Sequence, residues 1–219
     1  MILYEDGVVV VIATGFDNPS VNAKTGEMIQ VWILPAAESP LDAVASGHDE
    51  VICGDCPLRG DHGRERACYV EIHRAPLMVW RKWDRGGYPR WNPSDLSIWH
   101  DKVVRWGAYG DPTFIPLDIV KRISIMARGW TGYTHQWTTC NPDYRKYLMA
   151  SVETLAQAAE AWRCGWRTFR TGAVPGPGEV TCVNVTHGVQ CIDCELCCGA
   201  ATRAKSIVIP PHGAGARYL

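Results

Sequence analysis

Val103-Val104-Arg105-Trp106-Gly107-Ala108-Tyr109, Gly110-Asp111-Pro112, Pro116-Leu-Asp-Ile-Val-Lys-Arg-Ile-Ser-Ile-Met-Ala-Arg128 and Trp130-Thr-Gly-Tyr-Thr-His-Gln-Trp137 follow one another along the chain. The first piece is a β-rich run closed by turn residues. The third places Leu117, Val120, Ile123 and Met126 on one face at helical spacing. The last is β-rich again. A strand, an amphipathic helix and a second strand make a βαβ unit, and the crossover helix requires the two strands to lie parallel.

The same rhythm continues outward from this unit. Downstream, a short helix is expected over residues 142–146, a strand over 147–151, an Ala-rich helix over 155–162, and strands over 166–171 and 206–210. Residues 172–178 (Gly-Ala-Val-Pro-Gly-Pro-Gly) form a loop-like linker. Upstream, Pro76-Leu-Met-Val-Trp-Arg-Lys-Trp83 reads as a buried strand. Residues 8–13 and 28–34 are β-rich runs separated by Asn18-Pro19 and Asn22-Ala-Lys-Thr-Gly26, which predicts a hairpin. Residues 35–49 are small and polar, with room for one helical turn. The expected fold class is α/β: a partial (β/α) barrel of parallel strands over residues 51–219, carrying Cys-rich loops, with an N-terminal β-hairpin extension over residues 1–50. Functional side chains in such folds gather at the C-terminal ends of the strands.

Composition narrows the functional classes. Apolar residues are 47% of 219, enough for a real core, and the net charge of −1 supplies no bulk attraction to nucleic acid or to an anionic membrane. Lys and Arg are scattered rather than striped. No apolar run approaches the ~18–20 residues of a membrane span. The ten Trp are expected in the core or in a pocket wall. No Gly-rich phosphate loop, Ser/His/Asp order or His-Glu-x-x-His is present.

The chemistry lies in the ten cysteines. Cys182, Cys191, Cys194 and Cys197 are separated by gaps of eight, two and two residues. Four thiolates from one short segment match the need of a cubane iron–sulfur cluster or a zinc site. Zinc sites usually pair two Cys-x-x-Cys knuckles, whereas a ladder with two-residue gaps belongs with iron–sulfur binding. Upstream, Cys53, Cys56 and Cys68 offer three more thiols, which on a cubane (4Fe-4S) would leave one iron open. His62 or a Cys of the later group would close that site, or all the ligands would share one cluster. Cys198 is expected to point away; Cys140 and Cys164 stand alone, and Cys164, after an Ala-rich helix, is expected to be a buried packing residue. A disulfide framework is the remaining reading, but clustered thiols in a reducing cytosol more often hold metal. The start, Met-Ile-Leu-Tyr-Glu-Asp, lacks the basic segment of an export signal, so a cytoplasmic location is expected.

If the strands are parallel, Asp111, His135, Glu153 and Arg170 stand near strand ends, where an acid, a base and a cation would converge on a small polar ligand. His212 is expected in a surface tail.

The Cys-rich loop ending in Cys68-Tyr69, the βα units and the Cys-rich tail together resemble the radical S-adenosylmethionine barrel with an auxiliary cluster. Closer still is the likeness to phage-encoded cysteine-rich proteins on that plan, carried by Asn22-Ala-Lys-Thr-Gly26, Val104-Arg-Trp-Gly-Ala-Tyr-Gly-Asp111, Trp130-Thr-Gly-Tyr-Thr134 and Cys191-x-x-Cys194-x-Leu196-Cys197. The resemblance covers most of residues 20–210. It implies one or two 4Fe-4S clusters, a redox partner and, for a phage protein, a place in the host cytoplasm. It also implies that Gly110-Asp111-Pro112 stands where the family's Gly-Gly-Glu-Pro motif binds the methionyl amine of S-adenosylmethionine. The family spaces its cluster cysteines by three and two residues; here the gaps are two and eleven, which reshapes the loop that would form that site.

Overall fold

The computed structural model describes residues 1–60, 65–211, 213, 215 and 216. His62 and His212 therefore lie outside the described residues. Among the described residues nine strands form one sheet, in the order β1-β2-β3-β4-β5-β6-β7-β9-β8. The N-terminal part is antiparallel: β1 (Ile2–Glu5), β2 (Val9–Thr14) and β3 (Ile29–Pro35). The expected hairpin is β2–β3, and β1 adds a strand outside it. From β3 onward all pairings are parallel, through β4 (Val103–Tyr109), β5 (Gly129–Thr134), β6 (Met149–Val152), β7 (Thr168–Thr171), β9 (Ser206–Ile209) and β8 (Glu179–Thr181). The hairpin thus joins the parallel strands as one edge of the same sheet.

Helix boundaries follow local chemistry. Helix α1 (Pro40–Ser46) begins with Ser39 accepting from Asp42 N, has Pro40 in its first turn and ends on Gly47 at φ 81°. Next come α2 (Glu50–Cys53), α3 (Ala75–Asp84) and α4 (Leu117–Met126), the last burying Val120, Ile123 and Ser124. Helix α5 (Leu155–Arg163) opens with a capping box between Thr154 and Gln157 and lays Ala158 and Ala161 against β6 and β7. Two short helices, α6 (Val183–His187) and α7 (Cys191–Cys194), carry the tail.

One expectation is overturned. Residues 76–83 are not a strand but most of α3. Pro76 sits in the first turn, where its missing N–H costs nothing, and Pro76, Leu77 and Val79 are buried with Trp80 and Trp83 half-buried behind them. A short apolar run does not distinguish strand from helix by periodicity, and here packing against β3 and α1 decides it.

Alternation along the strands sorts the parallel sheet into two faces. Val104, Trp106, Ala150 and Val152 belong to the main core, in which Trp99 and Trp106 are fully buried. Arg105, Thr131, Tyr133, Ser151, Phe169, Thr171 and Ile209 lie on the opposite face and line a cavity of about 600 Å³, which Trp32, Gly107, Ala108 and Tyr109 also line where Gly107, at φ 71°, interrupts the alternation of β4. Among the described residues no helix is long and apolar enough to cross a membrane.

Candidate metal centre

All seven expected ligands line this one cavity: Cys53, Cys56 and Cys68 together with Cys182, Cys191, Cys194 and Cys197. They arrive from separate elements. Cys53 ends α2, and the next turn brings Cys56 back, its N–H donating to the Cys53 carbonyl at 3.3 Å. Despite the eleven intervening residues, Cys68 returns to the same place, its N–H donating to the Leu58 carbonyl at 2.8 Å. Gly54, at φ 56°, makes that loop fit: a Cβ there would meet Gln136 at 2.5 Å, and Gln136 donates from Nε2 to the Cys53 carbonyl at 3.1 Å.

The C-terminal four are set by the sheet and by a single arginine. Cys182 follows β8, its N–H donating to the Val208 carbonyl at 2.8 Å. Cys191 and Cys194 occupy one turn, α7, which docks on the N-terminal loop: Cys191 N donates to Lys24 O at 3.0 Å and Ile192 N to Thr25 O at 3.2 Å. Glu195 then takes a left-handed φ of 50° and redirects the chain. Cys197 is tied to β5 through its carbonyl, which accepts from Gly132 N at 3.1 Å. Beneath this loop the buried Arg167 guanidinium donates to the carbonyls of Leu196, Gly199, Ala204 and Lys205 at 2.6–2.9 Å. Gly199 admits the loop because a Cβ there would fall 2.7 Å from Arg145 O and Leu148 N.

The electrostatic surroundings differ between the groups. Burial pushes the Cys53 thiol well up, and the neighbouring Cys56, Cys68, Asp49 and Asp111 push it further. Burial also raises Cys68, against the pull of Arg66. In the C-terminal group burial raises Cys191 and takes Cys197 to about 12, against a hydrogen bond with Tyr133. Burial thus favours the protonated thiol at these four positions.

The convergence expected of the polar residues holds for three of four. Asp111 lines the cavity and is buried; Oδ1 accepts from Thr113 N and Oγ1, and Oδ2 from Thr134 Oγ1 and His135 N. Its four acceptor positions are thus filled by the chain itself. Gly110 stands beside it at φ 78°, where a Cβ would meet Ile33 at 2.7 Å. His135 lies 3.2 Å through Nδ1 from Cys56 Sγ and 2.9 Å through Nε2 from Glu153 Oε1. Burial pulls the imidazole pKa down, but the hydrogen bonds with Cys56 and Glu153 outweigh it and hold it well above the usual histidine value. Arg170 does not join them. It projects from the other face of β7 than Phe169 and Thr171, and its guanidinium forms a buried pair with Glu179, at 2.9 Å and 2.6 Å.

The remaining cysteines stay out of the cavity lining. Cys198 neighbours Arg167 and Cys140 packs against the main core. Cys164 is exposed at the end of α5, a correction to the buried position expected for it, because the helix ends there before β7 covers it. Sequence reasoning also passed over Lys24, Arg105, Tyr133 and Tyr109. Arg105 carried a usable signal, being the one charged residue in an otherwise uncharged β4. The Tyr109 hydroxyl, on a residue 2% exposed, lines the cavity and has no hydrogen-bond partner among the described residues.

Against models of known protein families, curated proteins and solved structures, the chain has no match.

Proposed function

We propose that the protein binds iron–sulfur clusters: one on Cys182, Cys191, Cys194 and Cys197, and a second on Cys53, Cys56 and Cys68 with one iron not ligated by these thiols. The observation that carries the reading is the meeting of seven thiols, drawn from both ends of the chain, on the wall of a single cavity. Thiolates are soft donors suited to iron–sulfur cores. The orphaned Tyr109 hydroxyl beside the first group supports it too, since a buried donor calls for an acceptor and a sulfur-rich group would be one.

Sequence spacing favours clusters over a zinc-stabilised interaction module, because zinc usually sits between paired Cys-x-x-Cys knuckles whereas Cys191, Cys194 and Cys197 form a ladder with two-residue gaps. Among the described residues no three His, Cys, Asp or Glu are grouped to hold one ion. A cubane spreads its thiolates over separate irons. We read the sheet as a partial (β/α) barrel with the cavity face inward, in a reducing, cytoplasmic setting. When bound, such clusters supply one-electron transfer, and an iron without a protein thiolate supplies a coordination site. The chain holds His135 against Cys56 with Glu153 behind it, and turns the Tyr109 hydroxyl toward the same thiols. Electron transfer with a redox partner follows most directly from this arrangement. The S-adenosylmethionine reading has less support, because Asp111 has no vacant acceptor for an ammonium group.

The test is iron and acid-labile sulfide per chain in anaerobically purified protein, with an electron paramagnetic resonance spectrum after reduction. About eight irons and a fast-relaxing reduced signal are expected for two cubanes. Correctly folded, oxygen-protected protein that takes up neither iron nor sulfide on reconstitution overturns the reading.

A further inference from the structure

The chain between Cys182 and Cys197 is held firmly at its ends and weakly along its length. Cys182 N donates to Val208 O at 2.8 Å; at the other end Arg167 holds Leu196 O at 2.8 Å and Gly132 N holds Cys197 O at 3.1 Å. Cys182 and Cys197 are buried, at 9% and 8% exposed, but no residue from 183 to 195 is. The helices here, α6 and α7, have five and four residues, and helices shorter than about 12 residues do not hold themselves in water. With so little apolar surface buried, hydrogen bonds of small net worth must offset the entropy of ordering this backbone.

Beyond the segment itself, those bonds run mainly to one turn. Cys191 N and Ile192 N donate to the Lys24 and Thr25 carbonyls at 3.0 Å and 3.2 Å, and Gln190 Nε2 donates to Ala23 O at 3.0 Å. Arg128, half exposed, adds donors to Ile192 O and Glu195 Oε1 at 3.0 Å and 3.2 Å. The receiving turn is built without the segment: Asn22 Oδ1 accepts from Lys24 N and Thr25 N at 2.9 Å and 3.1 Å, and Asn22 O from Gly26 N at 2.8 Å. Gly26, at φ 70°, leaves room for the docked segment, since a Cβ there would fall 2.7 Å from Ile192 Cγ2 and 2.9 Å from Gln190 Oε1. Turn and segment together wall the cavity through Asn22, Thr25, Asn184, Val189 and Glu195, and Cys53, Cys56 and Cys68 share that lining.

Resting on the cluster reading above, we propose that residues 183–195 are a gate on the cavity, kept shut when Cys182, Cys191, Cys194 and Cys197 share a cluster. Cys191 and Cys194 are the gate's two thiols, and ligation joins them to the fixed ends at Cys182 and Cys197. Once those bonds are lost, the segment leaves the turn at residues 22–26 while β5, β8 and β9 keep their places. The N-terminal thiols then open to solvent and to a ligand. The occupancy of one site controls access to the other by ordering or releasing the chain between them.

The experiment is hydrogen exchange, read by mass spectrometry, on the full chain as iron-loaded parent and as Cys194→Ser. Peptides over residues 183–195 should exchange about tenfold faster in Cys194→Ser, while those over β5 and β9 hardly change. Equal exchange in the two proteins overturns the gate, as does loss of protection across the whole sheet. Gly26→Ala, which touches no thiol, should speed exchange of the same peptides in loaded protein; Gln190→Ala reads the same contact should Gly26→Ala fail to fold. Parent-like exchange in these variants overturns the docking role of the turn. Access is read by adding bathophenanthroline disulfonate: the N-terminal cluster's paramagnetic signal should vanish about tenfold faster in Cys194→Ser than in the parent. An equal rate overturns the control of one site by the other. A parent that takes up neither iron nor sulfide overturns the cluster reading and the gate with it, whereas about eight irons without a change in exchange overturns the gate alone.

Discussion

The two thiol groups share a cavity but are built in opposite ways. Cys182, Cys191, Cys194 and Cys197 are held by backbone: a strand end, a docked turn, a bond to β5 and the Arg167 guanidinium on four carbonyls. Cys53 ends the short α2 and Cys56 and Cys68 lie on loops, and side chains from the turn after β5 come to them, Gln136 on the Cys53 carbonyl and His135 on the Cys56 sulfur. One group is a closed set of four with its geometry fixed from below. The other is a set of three whose fourth side faces the cavity and the half-buried His135–Glu153 pair. On the cluster reading proposed above, the difference would separate a holding site from an exchanging one: rigid support from the surrounding shell suits a cluster that only carries electrons, and an incomplete donor set suits one that meets a ligand.

The largest expected effect breaks the two apart. Cys194→Ser should cost about four irons and leave the other cluster's signal in place, and Cys68→Ser should do the reverse. Loss of both signals from either variant, read by iron assay and paramagnetic resonance, would mean one shared cluster.

Glu179→Ala comes next. It strands Arg170 without its partner at the base of the strand that ends at Cys182, and side chains of this pair are 9% and 0% exposed. Destabilisation of about 3–5 kcal/mol is expected in denaturant unfolding, with the C-terminal cluster the first to be lost. Arg167→Ala removes donors from four carbonyls and should cost about 2–3 kcal/mol, again selectively for that cluster. Arg167→Lys should rescue little, because an ammonium cannot span the same carbonyls. Gly54→Ala is the smallest, about 1–2 kcal/mol from strain at positive φ, and its effect on iron should fall on the N-terminal site. An equal effect of Arg167→Ala and Gly54→Ala on both clusters would dissolve the contrast.

Much of this was legible in the residues. The βαβ reading of residues 103–137 holds in β4, α4 and β5, whose strands pair in parallel with Val103 opposite Gly129. Turn chemistry placed the β2–β3 hairpin, and thiol spacing singled out the seven cysteines that line the cavity. Residues 76–83 misled because four aromatic and branched side chains on a short run fit either period. The three-residue β8 and the turns α6 and α7 left no periodic trace at all, being shorter than a period test can resolve. Arg170 looked like a rim cation until its face of the strand was known, and Arg105 was passed over within a β-rich run.

Local pattern, therefore, was enough for the alternation of strands and helices and for singling out the cysteines that line the cavity, since both depend on neighbours a few positions apart. That Cys53 and Cys191 share a wall, that β9 inserts between β7 and β8, and that α7 docks on the turn at residues 22–26 came from packing. Burial and hydrogen bonds between segments distant in the sequence settle those matters, and no short-range periodicity encodes them.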